Sequence, residues 1–234
     1  MPSPLRFILL NDLHYLDPAC ATHFSRIIPS INALRPTFVM LLGDLVEHAS
    51  LPAFRRVQKL LTQFNCPVHT VPGNHDYHPT LGRTPYDIVF PNSANYVFTY
   101  ANFQFLALDT CTGTAYQNVR VRLDTLTALR TLLPALNPTL PTVLFTHFPL
   151  SRAVPYSLRN PATLLALLSK HRLRATFGGH FHGRTLHHYH GIPLHTSPCI
   201  ARSRQNHDGT TQKGYLLCTA TVKSIHTRFI AVNG

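Results

Sequence analysis

Three stretches decide how this chain is read: LRFILLNDLH (residues 5–14), TFVMLLGD (37–44) and PVHTVPGNHD (67–76). Each is an apolar run of strand length that ends in a polar cluster of Asp, Asn and His. The segments between them read as helices. Phe24 to Leu34 is the first. Leu51 to Phe64 is the second, with Leu51, Phe54, Val57, Leu60, Leu61 and Phe64 at three- and four-residue intervals. Strand, helix, strand, helix, strand implies parallel pairing through right-handed crossovers.

Further along, the grammar changes. Tyr96 to Tyr100 and Phe103 to Leu108 flank Ala101-Asn102, a short polar connection suited to a hairpin. Leu123 to Leu136 reads as an amphipathic helix stopped by Asn137-Pro138, Thr142 to Phe145 as a buried strand, Ala162 to Lys170 as a helix and Arg174 to Phe177 as a strand. The tail is strand-like throughout: Thr185 to His190, Ile192 to Thr196, Tyr215 to Val222 and Ile225 to Val232. The histidine-rich LHHYH (186–190) reads as a hairpin strand with exposed imidazoles, and the polar segment 205–213 as a mobile loop.

Two later strands also end in polar clusters, at Thr146-His147 and at Gly178-Gly179-His180-Phe181-His182. Taken singly, Asp12 would read as a helix cap, Gly43-Asp44 and Pro72-Gly73-Asn74 as turns, and His147 as a core histidine. All five clusters, however, fall directly after strands, and ligands gather at the carboxyl ends of strands in an open α/β sheet. Asp12 and His14, like His180 and His182, are two residues apart and face the same way if strand geometry persists into the loops. Glycines 43, 73 and 179 let the backbone turn sharply beside the site. Imidazole, carboxylate and one amide oxygen, without thiolate, favour Mn, Fe or Zn. Seven such groups exceed the needs of one ion and suit two ions sharing a bridging carboxylate.

Composition sets the outer limits. The 234 residues include 21 Lys plus Arg against 9 Asp plus Glu, for a formal charge of +12, and 44% are hydrophobic, too many for a disordered polyelectrolyte. Glu47 is the sole glutamate, and only 4 of the 21 basic residues are Lys, so the lysine-rich runs of a nucleic-acid footprint are missing. No signal-peptide pattern or membrane-length apolar run is read, and 5 cysteines without CxxC spacing argue against a disulfide framework or thiolate zinc site. A soluble, reducing, cytoplasmic setting is expected, with the oligomeric state left open and a homodimer allowed.

In order and spacing, Asp12-x-His14, Gly43-Asp44, Gly73-Asn74-His75-Asp76, His147 and Gly179-His180-x-His182 resemble the calcineurin-like metallophosphoesterase superfamily, from residue 5 to about residue 200. The resemblance implies an α/β fold, a four-layer αββα sandwich of two facing mixed sheets in one domain over 1–234, with the late strands forming or completing the second sheet. It implies two divalent ions, one on Asp12, His14 and His182, the other on Asn74, His147 and His180, with Asp44 bridging. The reaction implied is hydrolysis of a phosphodiester or monoester bond in a small ester such as a nucleotide or cyclic nucleotide, by in-line attack of a metal-bound hydroxide. His75 would meet the charge on the leaving oxygen, as proton donor or electrostatic stabiliser. In many relatives an acid lies three residues after the bridging Asp; here that residue is Glu47, expected to pair with His75.

Gly-Asn-His-Asp (73–76), Leu108-Asp109-Thr110 and Gly191-Ile192-Pro193 leading to Thr196-Ser197-Pro198-Cys199 are similar to the branch of cyclic-nucleotide and glycerophosphodiester phosphodiesterases, which often has His-His-Pro where this chain has His147-Phe148-Pro149. The short chain leaves little room for a cap domain, so an open site is expected, with His78, Arg83, Arg202 and His207 as candidate substrate contacts at its mouth. The net basicity also suits a nuclease acting on nucleic acid. A non-enzymatic scaffold on the same fold would have eroded ligands, whereas all seven and His75 are present.

Overall fold

A computed structural model of the chain describes residues 4–232; of the domain expected over 1–234, residues 1–3 and 233–234 lie outside the described residues. The first half alternates as read: β1 (Leu5–Leu10), α1 (Pro18–Ala33), β2 (Phe38–Leu41), α2 (Leu51–Leu61), β3 (Val68–Thr70), then α3 (Thr84–Val89). The hairpin β4 (Asn95–Tyr100) and β5 (Phe103–Leu108) follows, then α4 (Leu123–Leu132), β6 (Pro141–Thr146), α5 (Pro161–Leu167), β7 (Arg172–Gly178), β8 (Thr185–Tyr189), β9 (Ile192–Thr196), β10 (Lys213–Ala220) and β11 (Ile225–Val232).

Helix α1 begins six residues before the expected Phe24, because Asp17 caps it, accepting from the Cys20 N–H at 2.9 Å, and Pro18 occupies the first turn. The cap is thus Asp17, and Asp12 is left for other work. Ser50 caps α2 in the same way.

The strands form two sheets, ordered β11-β10-β1-β2-β3 and β4-β5-β6-β7-β9-β8. In the first, β1, β2 and β3 are parallel; in the second, β5, β6, β7 and β9 are. Every central strand is buried on both faces, so its alternate residues serve two cores. Phe7 and Leu9 of β1 face the space between the sheets, while Ile8 and Leu10 pack under α1 and α2. On the other side Phe105 and Ala107 of β5 point inward, and Leu106 and Leu108 pack with α4 and α5. Phe7 joins the two sheets, with its ring edge-on to Phe105, Phe145 and Phe177 at 5.6, 6.1 and 6.2 Å. The result is the αββα sandwich.

One topological expectation fails in part. Strands β8 and β9 do complete the second sheet, but β10 and β11 return to the first, where β10 runs antiparallel to β1 from Ala220 opposite Leu5 to Leu216 opposite Leu9. The edge of β1 needs a partner for its backbone groups. The alternation of β10 supplies both cores at once, with Leu216, Cys218 and Ala220 inward and Tyr215 and Leu217 toward α1.

Two histidines outside the site are held neutral by the packing. Burial lowers His69, stacked on Phe98, to about 4, and His195, stacked on Phe177, likewise to about 4. A group whose folded value lies below its unfolded 6.5 leaves the unfolded chain binding more protons between those values, so stability rises with pH across that window and is lost on acidification. The melting temperature is therefore expected to fall from pH 7 to pH 5, and to fall less in the His69→Phe/His195→Phe double variant. Equal slopes by calorimetry would contradict this.

Candidate metal centre

Because the parallel strands of each sheet end on the same edge, residues after β1, β2, β3, β6 and β7 meet there. The bends are abrupt: Asp12, His14, Asp44, His180 and His182 all have positive φ, between 45° and 66°. This corrects the idea that strand geometry carries Asp12 with His14, or His180 with His182, to one face. The backbone turns left-handed at each of them, and that conformation costs non-glycine residues about 1–3 kcal/mol apiece. Five such residues in one cluster mark a constellation that the rest of the fold holds in place.

The clustered side chains are buried and mutually close. Asp12 Oδ1 lies 3.5 Å from His182 Nε2, and His14 Nε2 lies 3.3 Å from His182 Nε2 and 3.5 Å from Asp44 Oδ2. Asp44 Oδ1 is 3.4 Å from His147 Nε2, which is 3.1 Å from Asn74 Oδ1. Ligand atoms of Asp12, His14 and His182, and separately those of Asp44, His147 and His180, converge within 4.8 Å. Asp44 sits between the groups, touching His14 of one and His147 of the other.

Second nitrogens decide what the rings offer. His147 Nδ1 meets the carbonyl of Leu42 at 2.8 Å, His180 Nε2 that of Tyr116 at 2.7 Å, and His182 Nδ1 that of Gln205 at 3.1 Å. A carbonyl only accepts, so each of these nitrogens carries a proton, and the opposite nitrogen is the end that faces inward. Inward nitrogens and carboxylate oxygens packed face to face suit metal ions, whose binding would displace a proton held between them. Burial works to raise Asp12 and Asp44, yet the surrounding histidines hold both carboxyls below the usual range. Burial lowers His180 to about 3, whereas His182 is lifted to about 11 against burial by the charge of Asp12.

Two supports keep the loops together. A Cβ on Gly73 would fall on Asp44 Oδ1 and its backbone nitrogen, so only glycine lets the β2 and β3 loops touch. Asp76 accepts the N–H groups of Gly73, Leu45 and Val46 at 2.8, 2.9 and 3.2 Å, tying one loop to the other. His75 follows Asn74 in a 3₁₀ turn; its backbone N–H donates to Asp44 Oδ1 at 2.9 Å, and its ring lies partly open to a cavity of about 670 Å³.

The sequence comparisons agree with this geometry. A family profile described as calcineurin-like phosphoesterase matches residues 5–184. The chain belongs to that family. No curated protein sequence matches it. Among solved structures, a dimetal phosphatase from Danio rerio superposes with TM-score 0.77 at 17% identity, covering 97% of this chain and 96% of that one. A purple acid phosphatase from yellow lupin gives 0.65 at 15% identity, with 98% and 52% covered, and an archaeal phosphodiesterase 0.53 at 11%, with 97% and 100% covered. At these identities the likeness concerns the fold alone.

Within this calcineurin-like site, several expected partners move. The expected carboxylate pairing of Glu47 with His75 is present at ion-pair distance, beside a shorter backbone contact. His75 Nδ1 donates to the backbone carbonyl of Glu47 at 2.8 Å, leaving the Glu47 carboxylate 3.7 Å away. That carboxylate also meets His14 Nδ1 at 3.1 Å and takes both arms of Arg204. Glu47 is held ionised at about 2: burial opposes the charge, but His14 and Arg204 outweigh it. No local pattern distinguishes Arg204 from Arg202; only the return of the 197–212 loop to the β2 loop does so. Arg202 stays exposed and outside the cavity lining. Arg83 is also absent from the lining, because Asp109 and Asp87 bind its guanidinium. His78 and His207 do line the cavity, the latter stacked on His182 with ring centroids 4.7 Å apart. Partners of a ligand histidine tune metal affinity by about 10- to 100-fold. Glu47→Gln is therefore expected to weaken metal binding to that extent, read by titration of metal-stripped protein; unchanged affinity would show that His14 needs no carboxylate behind it.

Proposed function

We propose that this protein is a dinuclear metallophosphoesterase that hydrolyses a small phosphate ester, with preference for diesters. The observation that carries the proposal is the convergence of seven donor groups, three of them imidazoles whose outer N–H is already given to a backbone carbonyl. Asp12, His14 and His182 would hold one ion, Asn74, His147 and His180 the other, and Asp44 both. When bound, such ions neutralise phosphate oxygens and activate water. Mn, Fe and Zn all suit this donor set.

The chain's own residues supply the rest. His75 is anchored through Nδ1, its Nε2 lies 3.4 Å from Arg204 at the cavity and would donate to the leaving oxygen as the imidazolium, and the Asp44 contact to its backbone fixes the ring relative to the ligand residues. The cavity's charge supports a diester. Arg204 is the sole Lys or Arg among the lining residues, and it is committed to Glu47. A monoester dianion would lack a further cation, whereas a diester carries one charge fewer. The net charge of +12, made mostly of arginines scattered outside the cavity, provides a long-range field for anionic esters in a cytoplasmic setting.

The direct test is hydrolysis of bis(4-nitrophenyl) phosphate against 4-nitrophenyl phosphate by metal-stripped protein reloaded with Mn, Fe or Zn. Turnover that requires metal and favours the diester is expected. No turnover with any metal, or turnover that persists without metal, overturns the reading.

A further inference from the structure

The chain has 14 Phe and 9 Tyr, and among the described residues only two of these rings are exposed, Tyr116 at 56% and Tyr156 at 42%. Both line the same cavity as the metal-ligand cluster. Aromatic rings are costly to leave in water when a core is available, and this fold buries or half-buries the other 21. The two exceptions adjoin each other, with centroids 6.5 Å apart and planes tilted by 51°.

Their backbones are tied to the centre. The carbonyl of Tyr116 is the acceptor for His180 Nε2, so its ring is placed one residue's reach from a ligand histidine. Tyr156 has φ of 58°, an unfavourable conformation for so bulky a side chain. Its ring lies 6.1 Å from that of His180 and 5.6 Å from that of His207. The wall made by these rings and Thr114 has no carboxylate, lysine or arginine. It is uncharged and borders the metal-ligand cluster, next to the place where phosphate would sit.

We propose that Tyr116 and Tyr156 form a stacking subsite for a nucleobase carried by the phosphate ester, the base lying on one ring with its edge toward the other. This deepens the phosphoesterase reading and rests on it for the position of the phosphate. A planar aromatic group is the shared requirement, and a cavity of about 670 Å³ has room for a nucleoside beside the phosphate.

The test is calorimetric titration of the metal-loaded protein with adenosine 5′-monophosphate, ribose 5-phosphate and phenyl phosphate. Base–aromatic stacking predicts that the nucleotide binds about tenfold or more tightly than ribose 5-phosphate. Tyr116→Ala and Tyr156→Ala should each lower nucleotide affinity by about fivefold to a hundredfold, with Tyr156→Phe retaining it. Equal affinity for nucleotide and ribose 5-phosphate, or an advantage that survives the double alanine variant, overturns the subsite. Phenyl phosphate binding as tightly as the nucleotide overturns the nucleobase assignment. The two readings fail separately: discrimination without turnover of any ester removes the hydrolase, and turnover without discrimination removes the subsite.

Discussion

Asp44→Asn is expected to lower kcat/KM by on the order of 10³-fold, the loss typical of removing one preorganised electrostatic group from an active site. The substitution is nearly isosteric and keeps an oxygen to accept the His75 N–H, now at 2.9 Å from Asp44 Oδ1, so the loop geometry should persist. What disappears is the negative charge between His14 at 3.5 Å and His147 at 3.4 Å, a carboxylate in close contact with both ligand groups. Metal content measured by atomic spectroscopy should fall from two equivalents toward one. A variant that retained both ions and full activity would show that Asp44 does not bridge, and would remove the dinuclear reading with it.

His75→Ala should cost between about 10² and 10⁴ in kcat, the range for a positioned general acid. The loss should also depend on the ester. With a nitrophenolate leaving group, which departs without a proton, the effect should be small; with an alkoxide it should be at the upper end. This dependence separates proton donation from simple electrostatic stabilisation, which would slow both esters alike. The variant leaves the metal ligands in place, so unchanged metal stoichiometry is the control. The ring's shortest anchor is the Glu47 carbonyl, which Glu47→Gln keeps, so that variant should not reproduce the full leaving-group pattern. It should act on metal affinity through His14.

Much of the site was legible in the chain because its information is local. A buried strand announces itself by an apolar run, and the residues that follow sit at its carboxyl end whatever the sheet order, so Asp12, Asp44, Asn74, His147 and His180 could be placed on one edge before their partners were known. The hairpin β4–β5 and the exposed-histidine strand β8 were readable for the same reason, period-2 burial next to a turn. The start of α1 is also marked in the sequence, by Asp17-Pro18, six residues before the apolar periodicity begins at Phe24.

Other features were not local. Two arginines two residues apart, Arg202 and Arg204, have the same chemistry and opposite fates, because the loop's path brings one of them to a carboxylate 157 residues earlier in the chain. Asp76 binds backbone donors of another loop, and nothing about an Asp after His in a turn indicates which donors those are. Arg83 follows a loop near the site, yet the buried Asp109 at the end of β5 captures it. The left-handed bends at five ligand residues likewise arise from the convergence of strand ends, which local preference alone would not select.

The sequence by itself determined the strand-and-helix order, the two-faced burial of the central strands and the identity of the seven ligand candidates, since each depends on periodicity or on position relative to one strand. Tertiary structure alone decided that β10 and β11 join the first sheet, that Glu47 serves His14 and Arg204 as well as His75, and that two tyrosines stand exposed over the site. Those outcomes depend on which distant backbone groups and charges meet once the two sheets pack, and hydrogen-bond partners chosen by distance in space leave no mark on spacing along the chain.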